Sequence, residues 1–318
     1  MVLDINIVIN KYTPFNGSTT GKLILDISGN DIDNKIINIL RRFSVKYIPT
    51  YAYTPETILI LKNTSNAYNN DMIKLRISTL PIFNIDPEID ILEEKYWRTV
   101  KYNDIEREKH PKEKNITSYI NVTNKTSNII NVTTHDIIFK INGETSDIYK
   151  QIDPIILIKL HKNEIFTCSF TGTLSIGERH SIWNAVQNSY FDILSDKIIF
   201  TLENNGKLNL FDILIKVCNI IIYKIQNLKN ELKDEYATDI IIIELIDEDF
   251  SFGDVINNEF QLNKKISFSG ISKPDLLKNI ILIKINNIEN TLKNIHHSLD
   301  KLINKFEYIE KILIKLNK

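Results

Sequence analysis

Catalysis needs a nucleophile, an acid–base pair or a bound metal, so the residues able to supply one come first. The chain has six histidines, His110, His135, His161, His180, His296 and His297. None falls in a His-Glu-x-x-His or comparable ligand spacing. The two cysteines, Cys168 and Cys218, are too few for a disulfide framework or a four-thiolate zinc site. Cys168 lies on the apolar side of an alternating stretch and Cys218 beside an apolar helical stripe, positions of core thiols rather than nucleophiles. Nine glycines, all scattered, make no phosphate cradle or dinucleotide fingerprint. A chain that grips nucleic acid on its own needs a basic excess. Here 39 Lys and Arg stand against 40 Asp and Glu, a net charge of -1. The nearest approach to an aromatic-interleaved basic run is EEKYWRTVKY (93–102), which also reads as a solvated loop. The expectation is a protein without catalytic residues, cofactor or metal.

Three sets of residues have partner-binding composition. Arg41 and Arg42 end a short helix; they either complement its dipole or offer guanidinium forks to a partner's carboxylates. Gly177, Glu178, Arg179, His180 and Trp183 form a mixed polar loop in LSIGERHSIWNAV (174–186). Its tryptophan is an interface anchor or folds back on its own sheet. Arg76, with Lys74, faces outward from a short helix over 66–80, whose bland reading is an ordinary solvated face.

These residues need elements to hold them. GKLILDIS (21–28) alternates as a strand. DIDNKIINILRRF (31–43) is a helix with Asp33 or Asn34 as cap, ending before Pro49. ETILILKN (56–63) is a strand, and a short helix carries Met72, Ile73 and Ile77. Residues 84–114, with the charged run DIEREKHPKEK, form a loop or a partly mobile excursion. From 118 to 174, SYINVT, IINVTTHDIIFKI, IILIKL and IFTCSFTGTL read as an antiparallel sheet module. KIIFTLENNGKLN (197–209) is a strand with an Asn-Gly turn signal. Leu210, Leu214, Val217, Ile221, Ile225, Leu228 and Leu232 stripe a long helix. DIIIIELID (239–247), a short helix over 250–260, KKISFSG and NIILIKIN (279–286) follow. A terminal heptad seam then runs through Ile288, Leu292, Ile295, Leu299, Leu302, Phe306, Ile309, Leu313 and Leu316.

The order strand, short helix, strand pair, long helix occurs twice: once in 237–318, and once in 21–63 joined to 197–233. Two copies of one αβ unit with long striped helices predict an intramolecular pseudo-dimer whose helices pack on each other. Ile221 sits mid-seam on the first, with Leu299 as its expected counterpart. No secretory signal is expected from MVLDINIVINKYTPF. No run of about 18 apolar residues would span a membrane. Asn-x-Ser/Thr sequons, as at Asn63, Asn115, Asn121 and Asn131, are expected to be accidents of an Asn-rich chain.

In this order the segments resemble a known family, the α-type assembly subunits of DNA-directed RNA polymerase. LILDISGNDIDNKIINILRRFSVKYIPTYAY resembles the family's start, where an apolar helix ends in Leu-Arg-Arg. LKNTSNAYNNDMIKLRISTLPIF is similar to its Asn-Thr-Ser, acidic helix and Arg-x-x-x-x-Pro run, NVTTHDIIF to its insert domain, and LSIGERHSIWNAV to its Gly-Ile-Gly-x-x-His-x-x-Trp loop. FTLENNGKLNLFDILIKVCNII resembles the close of the third-subunit-like half. Residues 237–318 resemble the eleventh subunit, with Gly253 retained in FSFGD.

The resemblance implies an α+β chain of two fused α-subunit-like dimerisation units. A third-subunit-like unit (1–84 and 191–236) is interrupted by a β-rich insert domain (85–190), and an eleventh-subunit-like unit spans 237–318. It implies a non-catalytic platform that docks the second-largest and largest polymerase subunits and small subunits of the tenth-subunit type. Nucleic acid is met only through the complex, and no membrane is involved. Fused versions suit large DNA viruses, which implies the host cytoplasm (viral factory) and virion, or alternatively the nucleus. Many third-subunit relatives carry a four-Cys zinc loop; this chain has no cysteine before Cys168, so no zinc is expected. Arg41, Arg42, Arg76, Gly177, Glu178, Arg179, His180 and Trp183 carry over as partner-binding candidates. Two other readings remain: a coiled-coil structural or virion protein using the terminal heptads for homodimers, and a hydrolase with its site in the β module.

Overall fold

The computed structural model describes residues 3–317 apart from 18, 105–106, 233–239, 276 and 288–290. The architecture is α+β, with antiparallel sheets throughout. β1 (Asn6–Thr13) and β2 (Gly21–Ser28) pair antiparallel, and β2 buries Leu23, Leu25 and Ile27 on one face. Asn6, Asn10 and Lys11 interrupt β1's alternation, and it is the pairing with β2 that makes it a strand. α1 (Asn34–Lys46) is capped by Asp33, whose carboxylate accepts from the Lys35 and Ile36 amides, and it stops short of Pro49.

β3 (Thr50–Asn63) starts earlier than its text suggests, because its first residues pair with 172–175 and bury Tyr51 and Tyr53. α2 (Asn70–Ser78) is capped by Asn69. Residues 84–114 hold a single turn of 3-10 helix at Glu94–Tyr96 among their described residues. Yet Ile85, Ile89, Leu92, Tyr96 and Tyr102 are buried, so this excursion is packed down. Then come β4 (Ile116–Thr123), β5 (Ile130–Thr133), β6 (Ile138–Ile141), β7 (Glu144–Ser146), β8 (Ile156–Leu160) and β9 (Ile165–Ser175). They form a five-stranded sheet ordered β3-β9-β4-β6-β7 and a two-stranded β5-β8 pair. The single strand expected over IINVTTHDIIFKI breaks into β5 and β6. A capping box between Thr133 and Asp136 turns the chain there and sends the two halves to different sheets.

β10 (Val186–Ile193) and β11 (Ile198–Asn204) complete the first sheet in the order β1-β2-β11-β10. Asn205-Gly206 is not a hairpin turn. Gly206, at φ 83°, swings the chain from β11 toward Asn209, which caps α3 (Leu210–Glu231). A Cβ on Gly206 would fall 2.3 Å from the Phe15 ring. β12 (Ile240–Ile246), α4 (Phe250–Leu262), β13 (Ile266–Ser272), β14 (Ile280–Asn287) and α5 (Thr291–Leu316) follow, with sheet order β12-β14-β13. Ile288, the first position of the expected heptad seam, lies outside the described residues.

Two large cores result. One joins the β1-β2-β11-β10 and β12-β14-β13 sheets with α1, α3, α4 and α5. The other belongs to β3–β9, α2 and the segment 80–96, and takes in Tyr51, Tyr53, Ile73 and Phe83. Ala52, Tyr102 and Trp183 form a small third cluster.

Setting β1 aside, both units of the first core have one topology. The first strand (β2 or β12) pairs with the last (β11 or β14), which pairs with the one before it (β10 or β13). The short helices α1 and α4 pack together, as do the long helices α3 and α5. Four polar contacts across the short helices form two reciprocal pairs. Each capping aspartate accepts from the residue nine positions into the other helix: Asp249 from Arg42 at 2.9 Å, Asp33 from Asn258 at 2.6 Å. Lys35 meets Asp254 at 3.2 Å, and the equivalent positions Ser251 and Asn38 meet at 3.3 Å. Across the long helices Lys229 meets Asp300 at 2.5 Å and Asn317 meets Asp212 at 3.1 Å. Both helix pairs are therefore antiparallel. That register sets Ile221 level with Tyr308 and Ile309, rather than with Leu299.

Candidate partner-binding residues

The eight singled-out residues do not form one surface. Arg41 and Arg42 are neighbours on α1 with different surroundings. Arg41 folds along its own helix, its Nη2 donating to Asn38 Oδ1 at 2.9 Å. Arg42 reaches the other unit. Its Nη2 lies 2.9 Å from Asp249 Oδ2, a carboxylate only 1% exposed. Lys46, one turn on, joins the same Asp249 at 2.8 Å and Glu178 at 3.0 Å. Burial alone would raise the Asp249 pKa. The hydrogen bonds from Arg42 and Lys46 outweigh it and hold the carboxyl well below the usual range. Of the two arginines, Arg41 lies along its own helix and Arg42 ties the two units together.

The loop after β9 is fastened down in the same way. A Cβ on Gly177 would fall 2.1 Å from the Val45 carbonyl oxygen, and the Glu178 amide donates to Lys46 O at 2.7 Å. Only a glycine lets the loop lie this close to the end of α1. Arg179 donates to the carbonyls of Trp97 and Val100 and stacks 4.5 Å over Tyr102, pinning the 97–102 excursion. Trp183 is 2% exposed and its Nε1 donates to Thr173 O at 3.0 Å, so it folds back on its own sheet. His180 caps the following 3-10 turn and is exposed, as is Glu178. Arg76 turns inward onto β8, its Nη1 donating to Leu157 O at 2.8 Å, with Tyr68 beside the guanidinium.

Four residues that sequence spacing did not single out carry the charge network: Lys46, Asp249, Lys207 and Lys216. Lys207 is buried with no carboxylate partner among the described residues, donates to Ile182 O, and its amine is pushed down to about 7 by burial. Lys216, also buried, is matched by Asp86 and Asp90 at 3.2 and 2.9 Å. A lone lysine in Asn-Gly-Lys text or a lysine inside an apolar helix gives no sign of its burial; the sign lies in partners distant in sequence.

Burial raises both thiols, Cys168 to about 12 and Cys218 further, so neither is a thiolate near neutral pH. Among the described residues no three His, Cys, Asp or Glu side chains converge as a metal site requires. No described helix is long and apolar enough to cross a membrane.

No family model matches the chain. The chain is similar to a protein of Acanthamoeba polyphaga mimivirus named "Putative DNA directed RNA polymerase subunit". The two are 28% identical over 288 residues, which cover 82% of this chain and 81% of the relative. Coverage that broad extends into both αβ units.

Proposed function

We propose that this chain is a non-catalytic assembly subunit of a multisubunit DNA-directed RNA polymerase. The observation that carries the polymerase reading is the match to the mimivirus protein over 82% of the chain. The reciprocal contacts across α1/α4, with the antiparallel packing of α3 on α5, support the finer part. In a two-fold interface residue i meets j and j meets i. The two capping-aspartate contacts, and the Lys35–Asp254 and Asn38–Ser251 contacts, obey that rule within one chain. The chain then acts as a covalently fused dimer, with β3–β9 as an insertion in its first unit. Core membership favours junctions near residues 49 and 185 over 84 and 190, and a second unit from about 240.

In this reading the platform binds the second-largest and then the largest polymerase subunit, with small subunits of the tenth-subunit type. Nucleic acid is met only through them, in a viral factory and virion. Of the partner-binding candidates, Glu178 and His180 are exposed, and Arg41 is half-buried with no hydrogen bond or ion pair to the other unit among the described residues, while Arg42, Arg76, Gly177, Arg179 and Trp183 shape the surface from beneath. The coiled-coil reading is not favoured, because the α5 stripe is buried against α3 within one chain.

Co-expression of the chain with the two largest polymerase subunits of its own genome tests the proposal. A stable binary complex with the second-largest subunit, and RNA synthesis only when this chain is included, is the expected result. Failure to bind either large subunit, while light scattering shows a well-folded monomer, would overturn it. Turnover by the purified chain alone would instead favour the hydrolase reading.

A further inference from the structure

The two units differ at one edge. In the first, β2 is flanked by β11 on one side and β1 on the other. In the second, β12 holds β2's place. It pairs with β14, and its other side has no strand among the described residues. Beyond Ile240, such an edge presents a row of backbone N–H and C=O groups. This one opens, over its last three residues Glu244, Leu245 and Ile246, on a cleft of about 670 Å³ that continues past the strand end to Asp247 and Glu248. Successive strand residues point to opposite faces, so a hollow reaching all three runs along this end of the edge.

The facing walls are the 91–98 segment and the C-terminal half of α3, with Ile91, Leu92 and Trp97 among the apolar lining. Its rim is acidic. Seven carboxylates line the cleft against two cations, Arg98 and Lys224. Those two already pair with Asp247 and Glu248, at 2.6 Å each. Glu231 and Glu244, both exposed, have no ion-pair partner among the described residues. The chain's own segment 233–239, KDEYATD, brings three acids against one lysine and has the wrong sign for this rim.

We propose that the β12 edge receives an extended basic segment of a partner polypeptide, which adds as an antiparallel strand and completes the second sheet. The first unit supplies the precedent on the same topology: β1, NIVINKYT, does this for β2. Apolar residues on one face of the added strand enter the hollow, and Lys or Arg on the other face meet Glu244 and Glu231. The inference stands apart from the polymerase reading, since an open acidic edge takes the same kind of ligand whatever complex the partner belongs to.

The test uses the full chain and three fluorescein-labelled nine-residue peptides. One alternates Val and Lys, one alternates Val and Glu, and one is the Val-Lys peptide N-methylated on alternate amides to block ladder hydrogen bonds. The Val-Lys peptide should bind at least tenfold tighter than either other, and should slow hydrogen exchange at β12 amides. Glu231→Lys with Glu244→Lys, both at exposed positions, should weaken it at least tenfold while leaving the melting curve unchanged. Equal binding of the N-methylated peptide would reduce the effect to charge attraction and overturn strand addition. No binding, or equal binding of the Val-Glu peptide, would also overturn it. So would a stable dimer of the free chain that Glu244→Lys dissociates, because a second copy would then be the occupant.

Discussion

Asp249 does three things at once. It caps α4 by accepting from the Ser251 amide at 2.9 Å, and it binds Arg42 and Lys46 of the other unit. Breaking a buried pair from one side costs about 3–5 kcal/mol. Arg42 and Lys46 are 38% and 30% exposed, so solvent screening reduces that to roughly 2–3 kcal/mol. Asp249→Asn, which keeps a capping oxygen, should lose this much in urea unfolding at pH 7. Because the folded carboxyl titrates below its unfolded value of about 4, the contribution is present above that pH and lost as pH falls through the folded value. The deficit of the variant should therefore shrink below pH 4; an unchanged deficit would remove the ion pair as its cause. Arg42→Ala should be destabilising and Arg41→Ala within about 0.5 kcal/mol of wild type. Arg41 is thus the cleaner probe of partner capture. Lys207 opposes folding at neutral pH where Asp249 supports it, though its pH slope runs the same way. Its folded pKa near 7 lies below the unfolded 10.5, so the unfolded chain binds more protons between those values and stability rises with pH there. Lys207→Met should be more stable at pH 7, by roughly 1 kcal/mol or more. Urea unfolding from pH 7 to 9.5 should show a flat profile for the variant against a rising one for wild type. A rise of equal slope in both would clear Lys207 of the effect.

At the scale of elements, the long helices carry one odd position. Lys305 lies within the α5 seam and is 9% exposed, with its Nζ 2.8 Å from Glu259 of α4, itself 7% exposed. Lys305→Ala strands a buried carboxylate and should cost about 3–5 kcal/mol. Lys305→Met combined with Glu259→Met removes both charges at similar volume and should come within about 1 kcal/mol of wild type. Double-mutant unfolding curves decide it: if the pair of methionines is as damaging as the alanine, the ion pair is not what holds α5 to α4. The stripes of α3 and α5 were legible in the sequence because each repeats one local spacing for many turns. So were the stop of α1 before Pro49 and most of β2, β9, β12 and β14. The rest depended on distant partners. β1 exists through β2, the first half of β3 through β9, and the split between β5 and β6 through a local capping box inside strand-like text. The site was legible in residue type more than in role. Gly177 and Trp183 stand out by their identity, but Val45 O and Thr173 O, which explain them, come from other elements. In a chain this rich in isoleucine, β-branching separates strand from helix poorly.

At the scale of the whole molecule, the two large cores imply that β3–β9 can be removed. Thr50 and Ser175 are partners across the β3/β9 ladder, so the two crossings lie side by side, about 5 Å apart. A short Gly-Ser linker replacing 50–175 spans that gap without disturbing α1 or β10. The cost falls where the cores touch. Lys216 loses Asp86 and Asp90, and a buried lysine without them opposes folding. A second version with Lys216→Met removes that burden. Trp183 loses Ala52, Tyr102 and its Thr173 acceptor, so its fluorescence should shift to the red as water reaches the ring. The shortened chain carrying Lys216→Met should still be a monomer by light scattering, with strong helical circular dichroism and one cooperative melt, because α1/α4 and α3/α5 stay closed. The version keeping Lys216 should melt at a lower temperature. If both versions are expanded and melt without cooperativity, the β-rich module and the paired units form a single folding unit. The chain is then not a fused dimer with an insertion.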